Sequence, residues 1–159
     1  MIRKLLPIFI FLISISSVIA QVQVNITFEV NTNQMASVSM DGIFISGGTG
    51  FGTPGSNPLT DPDGDGIWTI TVQRFQGFSS YYTFLNGNCP DYSCKENLAG
   101  LPCGDPSNFN DRFLPAVMSD TTILVCFENC ADDGSCDQII APTLPMDFED
   151  SIITYAPAG

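Results

Sequence analysis

The chain contains no histidine. That removes the commonest general base, the commonest transition-metal ligand and the usual nucleophile–base triads. Basic residues are almost as scarce, five Lys and Arg against 17 Asp and Glu, for a formal net charge of −12 at pH 7. Beyond Arg3 and Lys4, the only basic residues are Arg74, Lys95 and Arg112. A surface this acidic repels polyanions, so neither nucleic acid nor anionic lipid is expected as a partner. Tryptophan occurs once, at Trp68. After the first twenty residues no stretch sustains a helical period, and no second long apolar run appears. Paired carboxylates can hydrolyse glycosides without histidine. Here, however, the acidic residues fall in turn-forming stretches, where solvation leaves no reason for a raised pKa. No catalytic residue is recognised, and any enzymatic activity is expected to lie in a longer protein.

What is present begins with Met1-Ile2-Arg3-Lys4, an apolar run from Leu5 to Ile13, and a small-residue end at Val18-Ile19-Ala20. This reads as a secretory signal peptide over residues 1–20, cleaved after Ala20; the run is short for a membrane span. Six cysteines follow, at positions 89, 94, 103, 126, 130 and 136. An even number in an exported chain implies disulfides. Zinc is the alternative, on the spacing of Cys126 and Cys130. Spacing does not select among the possible pairings. Cys130–Cys136 and Cys94–Cys103 are expected as local loops, with Cys89–Cys126 as the longer staple.

Val22 to Val30 alternates apolar and polar residues strictly, the pattern of a strand with one buried face. Further strands are expected over Val38–Ser46, Ile67–Val72, Tyr81–Asn86 and Thr121–Phe127, with a short one at Arg112–Leu114. In the Ile67–Val72 strand, alternation places Trp68 with Ile70 and Val72, on the core side. Gly47 to Asn57 carries five glycines around Phe51. A ring in such a loop is poorly placed to be core. Gln73 to Ser80 reads as a turn, and Asn86-Gly87 is the strongest hairpin signal. The long polar stretch from Cys89 to Asn110 reads as a functional or disulfide-held loop. Short strands with frequent turns imply an all-β fold. Residues 21–136 are taken as one module. Residues 137–159 are taken as a linker and the truncated start of a following module, which would make the chain the front of a longer protein.

Asp61-x-Asp63-x-Asp65-Gly66 matches the first half of a calcium loop, with Val72 where the bidentate Glu should stand. An ordinary acidic turn is the simpler reading, and a Ca²⁺ site at Asp61, Asp63 and Asp65 is the alternative.

Gly42-Ile-Phe-Ile-Ser-Gly-Gly, then Asn57-Pro-Leu-Thr with Asp63-Gly-Asp-Gly-Ile-Trp, then Tyr81-Tyr-Thr-Phe-Leu-Asn-Gly, occur in the order seen in starch- and glycogen-binding carbohydrate-binding modules. Residues 22–136 resemble that family, and in particular modules at the front of secreted polysaccharide-degrading proteins of marine Bacteroidetes. Asn86-Gly-Asn-Cys-Pro-Asp-Tyr-Ser-Cys-Lys-Glu-Asn and Asn110-Asp-Arg-Phe look like signatures of that subgroup. The resemblance implies an immunoglobulin-like antiparallel β-sandwich with disulfide-stapled loops. It also implies a secreted, non-catalytic module that tethers a fused downstream enzyme to a glucan-type polysaccharide. Starch-binding relatives stack sugars on two tryptophans and use a lysine. Here Phe51 falls near the first Trp position, Tyr92 is the aromatic nearest the second, and Thr83 stands where the lysine would be. Sugar stacking needs flat aromatic faces with polar groups beside them. The carbohydrate-binding candidates are therefore Phe51 and Tyr92 with Asn86, Asn88 and Lys95, followed by Asn108 and Phe109. For Phe109, packing of the loop onto the sandwich is the preferred role. The competing function is an immunoglobulin-like spacer or adhesion module without a sugar site.

Overall fold

The computed structural model describes residues 21–132 and 134–136. The expected signal peptide and the linker with its following segment lie outside the described residues. Six strands make up the fold: β1 (Gln23–Asn31), β2 (Ile43–Ser46), β3 (Ile67–Phe75), β4 (Phe78–Asn86), β5 (Arg112–Val117) and β6 (Thr121–Cys126). A single 3-10 turn, Pro106–Asn108, precedes β5, and no α-helix occurs among the described residues. The strands form two three-stranded sheets, ordered β3-β1-β6 and β2-β4-β5.

Period-2 alternation sets the core. Val24, Ile26, Phe28 and Val30 of β1 point inward and are buried. They meet Ile43 and Ile45 of β2, Tyr82 and Phe84 of β4, and Leu114 and Val117 of β5 from the facing sheet. Trp68 and Ile70 pack against the same core, as alternation along β3 implies. The opposite face of the first sheet is polar, with Thr27 and Thr71 paired across strands by a 2.8 Å hydroxyl contact. Gly42 lies beneath Trp68: a Cβ there would come within 2.7 Å of the indole, so only glycine fits. The Asn57–Thr60 segment ties the sheets together at one edge. It makes bridges from Pro58 to Phe44 of β2 and from Thr60 to Thr69 of β3.

Besides β2 beginning at Ile43 rather than Val38, three features of the strand pairing depart from the sequence-based expectation. The β1–β6 pair is parallel, so the sandwich is not purely antiparallel. A parallel neighbour needs a crossover connection, and the chain between these strands, which contributes β3 to the first sheet and all three strands of the second, supplies it. Second, β3 and β4 extend into the expected turn and leave only Gln76 and Gly77 between them. Phe75 is held by Gln23 of one sheet and Phe78 by Val117 of the other, so each ladder prolongs its own strand. Third, the Asn86-Gly87 signal is realised as a wide hairpin. The chain returns at Cys94–Glu96, where Asn86 N–H donates to the Cys94 carbonyl and Glu96 N–H to that of Phe84.

The disulfides are Cys89–Cys94, Cys103–Cys130 and Cys126–Cys136. All six cysteines are paired, and none of the three expected pairings occurs. Cys94 is drawn to the edge of β4, away from Cys103. Cys103 is carried by the long loop to the chain following β6. The zinc alternative falls with them, because Cys126 and Cys130 are bonded to different partners.

Phe51 is the clearest correction. It is 1% exposed and packs edge-on against Phe28 and Phe78. Arg74 explains how a glycine-rich loop delivers a ring to the core. Its guanidinium donates to the Gly50 carbonyl at 2.7 Å and lies over the Phe51 and Phe78 rings, pinning the loop inward.

Candidate functional site

Tyr81 and Thr83 alternate with Tyr82 and Phe84 along β4, so their side chains lie on the face of the second sheet turned away from the core. The Cys89–Asn110 loop folds onto this side and leaves a groove of about 600 Å³, lined by Gly47, Gly48, Tyr81, Tyr92, Lys95, Asn108, Phe109 and Asp111. Gly48 forms part of its wall by close backbone approach. A Cβ at its φ of +55° would sit 2.7 Å from the Ser80 hydroxyl and 2.8 Å from the Tyr81 carbonyl.

Three aromatic rings border the groove, each held differently. Tyr81 donates its hydroxyl to Asp105 Oδ2 at 2.7 Å and packs against Phe113, its cross-strand neighbour, at 5.1 Å. Tyr92 sits in the loop closed by Cys89–Cys94 at a left-handed φ of 61°. Its N–H donates to the Cys89 carbonyl, and its hydroxyl lies 3.2 Å from that of Ser46. Phe109 follows the 3-10 turn, also left-handed, and is 84% exposed. It does not pack the loop onto the sandwich, contrary to the role the sequence suggests. Asp105 caps that turn through the Ser107 N–H and presents Phe109 outward.

The polar groups of the groove form a crossed pair of ion pairs. Lys95 donates to Asp111 and to the Phe109 carbonyl. The next residue of each segment makes the second pair: Arg112 grips Glu96, with Nη2 to Oε2 at 2.7 Å and Nε to Oε1 at 3.0 Å. Glu96 and Arg112 are almost wholly buried, and Arg112 also donates to the carbonyls of Cys126 and Asn129. Burial opposes the guanidinium charge, Glu96 outweighs it, and the net effect raises the Arg112 pKa. Lys95-Glu96 and Asp111-Arg112 thus lock the long loop to β5, with one pair facing the groove and the other inside.

Of the sequence-derived candidates, Tyr92, Lys95, Asn108 and Phe109 converge at the groove. Phe51 does not, being core. Asn86 does not line it; its side chain accepts from the Ser39 N–H and donates to the Ser37 carbonyl, a structural tie. Asn88 is exposed and stands by Gly55 rather than at the groove. Sequence reasoning missed Tyr81, Asp111 and the two glycines. Alternation along β4 places Tyr81 opposite in face to Tyr82, but nothing local says which face a loop will wall. Thr83, opposite Ser46 in the β2–β4 register, has a buried hydroxyl without a hydrogen-bond partner among the described residues.

Hydrogen bonds from Ser107 and Tyr81 hold the Asp105 carboxyl, beside the groove, below the usual carboxylate range. At the other candidate cluster, one ligand oxygen from each of Asp61, Asp63 and Asp65 lies within 4.8 Å of the others. Both Asp61 oxygens accept backbone N–H groups, from Gly64 at 2.9 Å and Gly66 at 3.1 Å, and Asp65 accepts from Ile67. These carboxylate–backbone hydrogen bonds close the turn. No helix among the described residues is long and apolar enough to cross a membrane.

No protein-family model matches the chain, and no curated protein sequence matches it significantly. Among solved structures it is similar to a glycoside hydrolase family 15 glucoamylase from Hypocrea jecorina, at 20% identity and a TM-score of 0.45. That match covers 69% of this chain and 18% of the glucoamylase, so the chain spans less than a fifth of that protein's length.

Proposed function

We propose that residues 21–136 are a secreted, non-catalytic carbohydrate-binding module with an immunoglobulin-like arrangement of its two sheets. In this reading the module holds a fused polysaccharide-degrading enzyme against a glucan-type substrate. One observation carries it: Tyr81, Tyr92 and Phe109 border a single groove whose remaining side chains, Lys95, Asn108 and Asp111, all carry hydrogen-bonding groups. Rings offer faces to the C–H surface of a pyranose, and the polar groups reach its hydroxyls. Three disulfides suit the oxidising compartment that secretion implies.

The test is affinity electrophoresis of the oxidised 21–136 module in gels containing starch, glycogen, laminarin or xylan. Tyr92→Ala and Phe109→Ala should each weaken retardation by about tenfold or more, the size expected for a central aromatic anchor. Retardation unchanged in both variants would move the weight to the competing spacer or adhesion module. That alternative draws support from Phe51, whose ring is in the core and unavailable as a platform.

A further inference from the structure

Every basic residue among those described is already engaged within the fold. Arg112 is buried on Glu96 and two carbonyls. Arg74 donates to the carbonyls of Gln73 and Gly50 and stacks on phenylalanine rings away from the groove. Lys95 is the only cation lining the groove, and Asp111 lies against it, both side chains largely covered, at 16% and 10% exposure. The nearby uncompensated charges are negative. Asp105 binds the hydroxyl of Tyr81, and Asp91 is exposed one residue from Tyr92. Serine hydrogen bonds hold both carboxyls below their usual range, so both stay ionised at neutral pH.

Resting on the carbohydrate-binding reading, we propose that the groove selects uncharged glycans and rejects uronate- or sulfate-bearing ones, and that Asp111 is the residue that sets this discrimination. A sugar carboxylate or sulfate needs an unneutralised cation where it lands. Here it meets a lysine already paired with Asp111, and a further carboxylate, Asp105, bound to the Tyr81 hydroxyl at the groove's border. A neutral pyranose needs only ring faces and hydrogen-bonding groups, which the groove has. Asp111 bears the same relation to Lys95 as Glu96 does to Arg112, but on the solvent side, so its removal exposes an ammonium to ligand rather than to the core.

The experiment compares the 21–136 module and Asp111→Asn in gels of laminarin and xylan, and of polyuronate and sulfated galactan. Circular dichroism establishes that each protein is folded. The unsubstituted module should be retarded only by a neutral gel, with retardation unchanged as sodium chloride rises from about 0.05 to about 0.5 M, a range that screens exposed charges. Asp111→Asn should gain retardation in the acidic gels at low salt and lose it at high salt. Should Asp111→Asn not fold, Asn108→Lys takes its place, adding an unpaired ammonium to the groove wall with the same expected gain. Retardation of the unsubstituted module by an acidic gel would overturn the selectivity and leave carbohydrate binding standing. Asp111→Asn folded with no gain would overturn the role of Asp111, and Asn108→Lys folded with no gain would overturn charge as the basis of the selectivity. No retardation in any gel would overturn the binding reading itself, and the selectivity with it.

Discussion

The guanidinium of Arg112 and the carboxylate of Glu96 satisfy each other inside the protein, at 5% and 0% side-chain exposure. Removing one partner strands the other charge without water. Arg112→Met should therefore lower the stability measured by urea unfolding by about 3–5 kcal/mol. Adding Glu96→Leu to that variant should recover part of the loss, because an apolar pair leaves no stranded charge. A double variant as unstable as the single would show that the backbone groups the pair also satisfies, the Cys126 and Asn129 carbonyls on Arg112 and the Phe84 N–H on Glu96, outweigh the stranded charge. Phe51 invites a different test. Its ring is core, so Phe51→Ala should cost about 3–5 kcal/mol of stability. Glycan retardation of the folded fraction should not change. A loss of retardation at full stability would return Phe51 to the binding surface.

At the scale of elements, the segment from Cys89 to Cys94 is a short disulfide-closed loop that carries Tyr92. Its disulfide spans five positions, whereas Cys103–Cys130 spans 27 and Cys126–Cys136 spans 10. A cross-link stabilises chiefly by restricting the unfolded chain, and it does so least when the loop it closes is short. Replacing Cys89 and Cys94 together by serine should thus lower the melting temperature less than removing Cys103–Cys130. It should nonetheless weaken glycan retardation, because Tyr92 loses the closure that holds its left-handed backbone. Equal retardation with and without this disulfide would show that the Ser46 hydroxyl and the ladder at Cys94–Glu96 suffice to place the ring.

For the whole molecule, acid and alkali act through different groups. Asp105 has its pKa lowered in the fold, first by the Ser107 hydroxyl and then by Tyr81. Its contribution is present above the unfolded value of about 3.9 and is lost as pH falls through the lower folded value. Tyr82 is pushed up to about 12 by burial. Its contribution is present below the unfolded value of about 10 and is lost as pH rises from there towards the folded one. Urea midpoints measured across pH should therefore fall at both ends. Asp105→Asn should flatten the acid limb and Tyr82→Phe the alkaline one. Limbs unchanged by these substitutions would assign the pH dependence to other groups.

Much of this architecture was legible before any tertiary information. Val24, Ile26, Phe28 and Val30 alternate with polar neighbours, and a pleated strand with that pattern has one way to face a core. The turn at Asp61–Gly66 was equally plain, since Asp and Gly carry its geometry in their own side chains and backbone freedom. The cysteine pairing, the burial of Phe51 and the groove were not. Each depends on where a loop goes after it leaves its strand, and that is decided by partners distant in sequence. Lys95 and Asp111 stand 16 positions apart, as do Glu96 and Arg112. Arg74 reaches back 24 positions to pin the loop that carries Phe51. Periodicity records which side of a strand is dry; it carries no record of which loop will cover the other side. In this protein, therefore, strands, core face and oxidising chemistry followed from the sequence alone. Which rings face solvent together, and which charges are left for a ligand, was decided only by the packing of the Cys89–Asn110 loop against the second sheet.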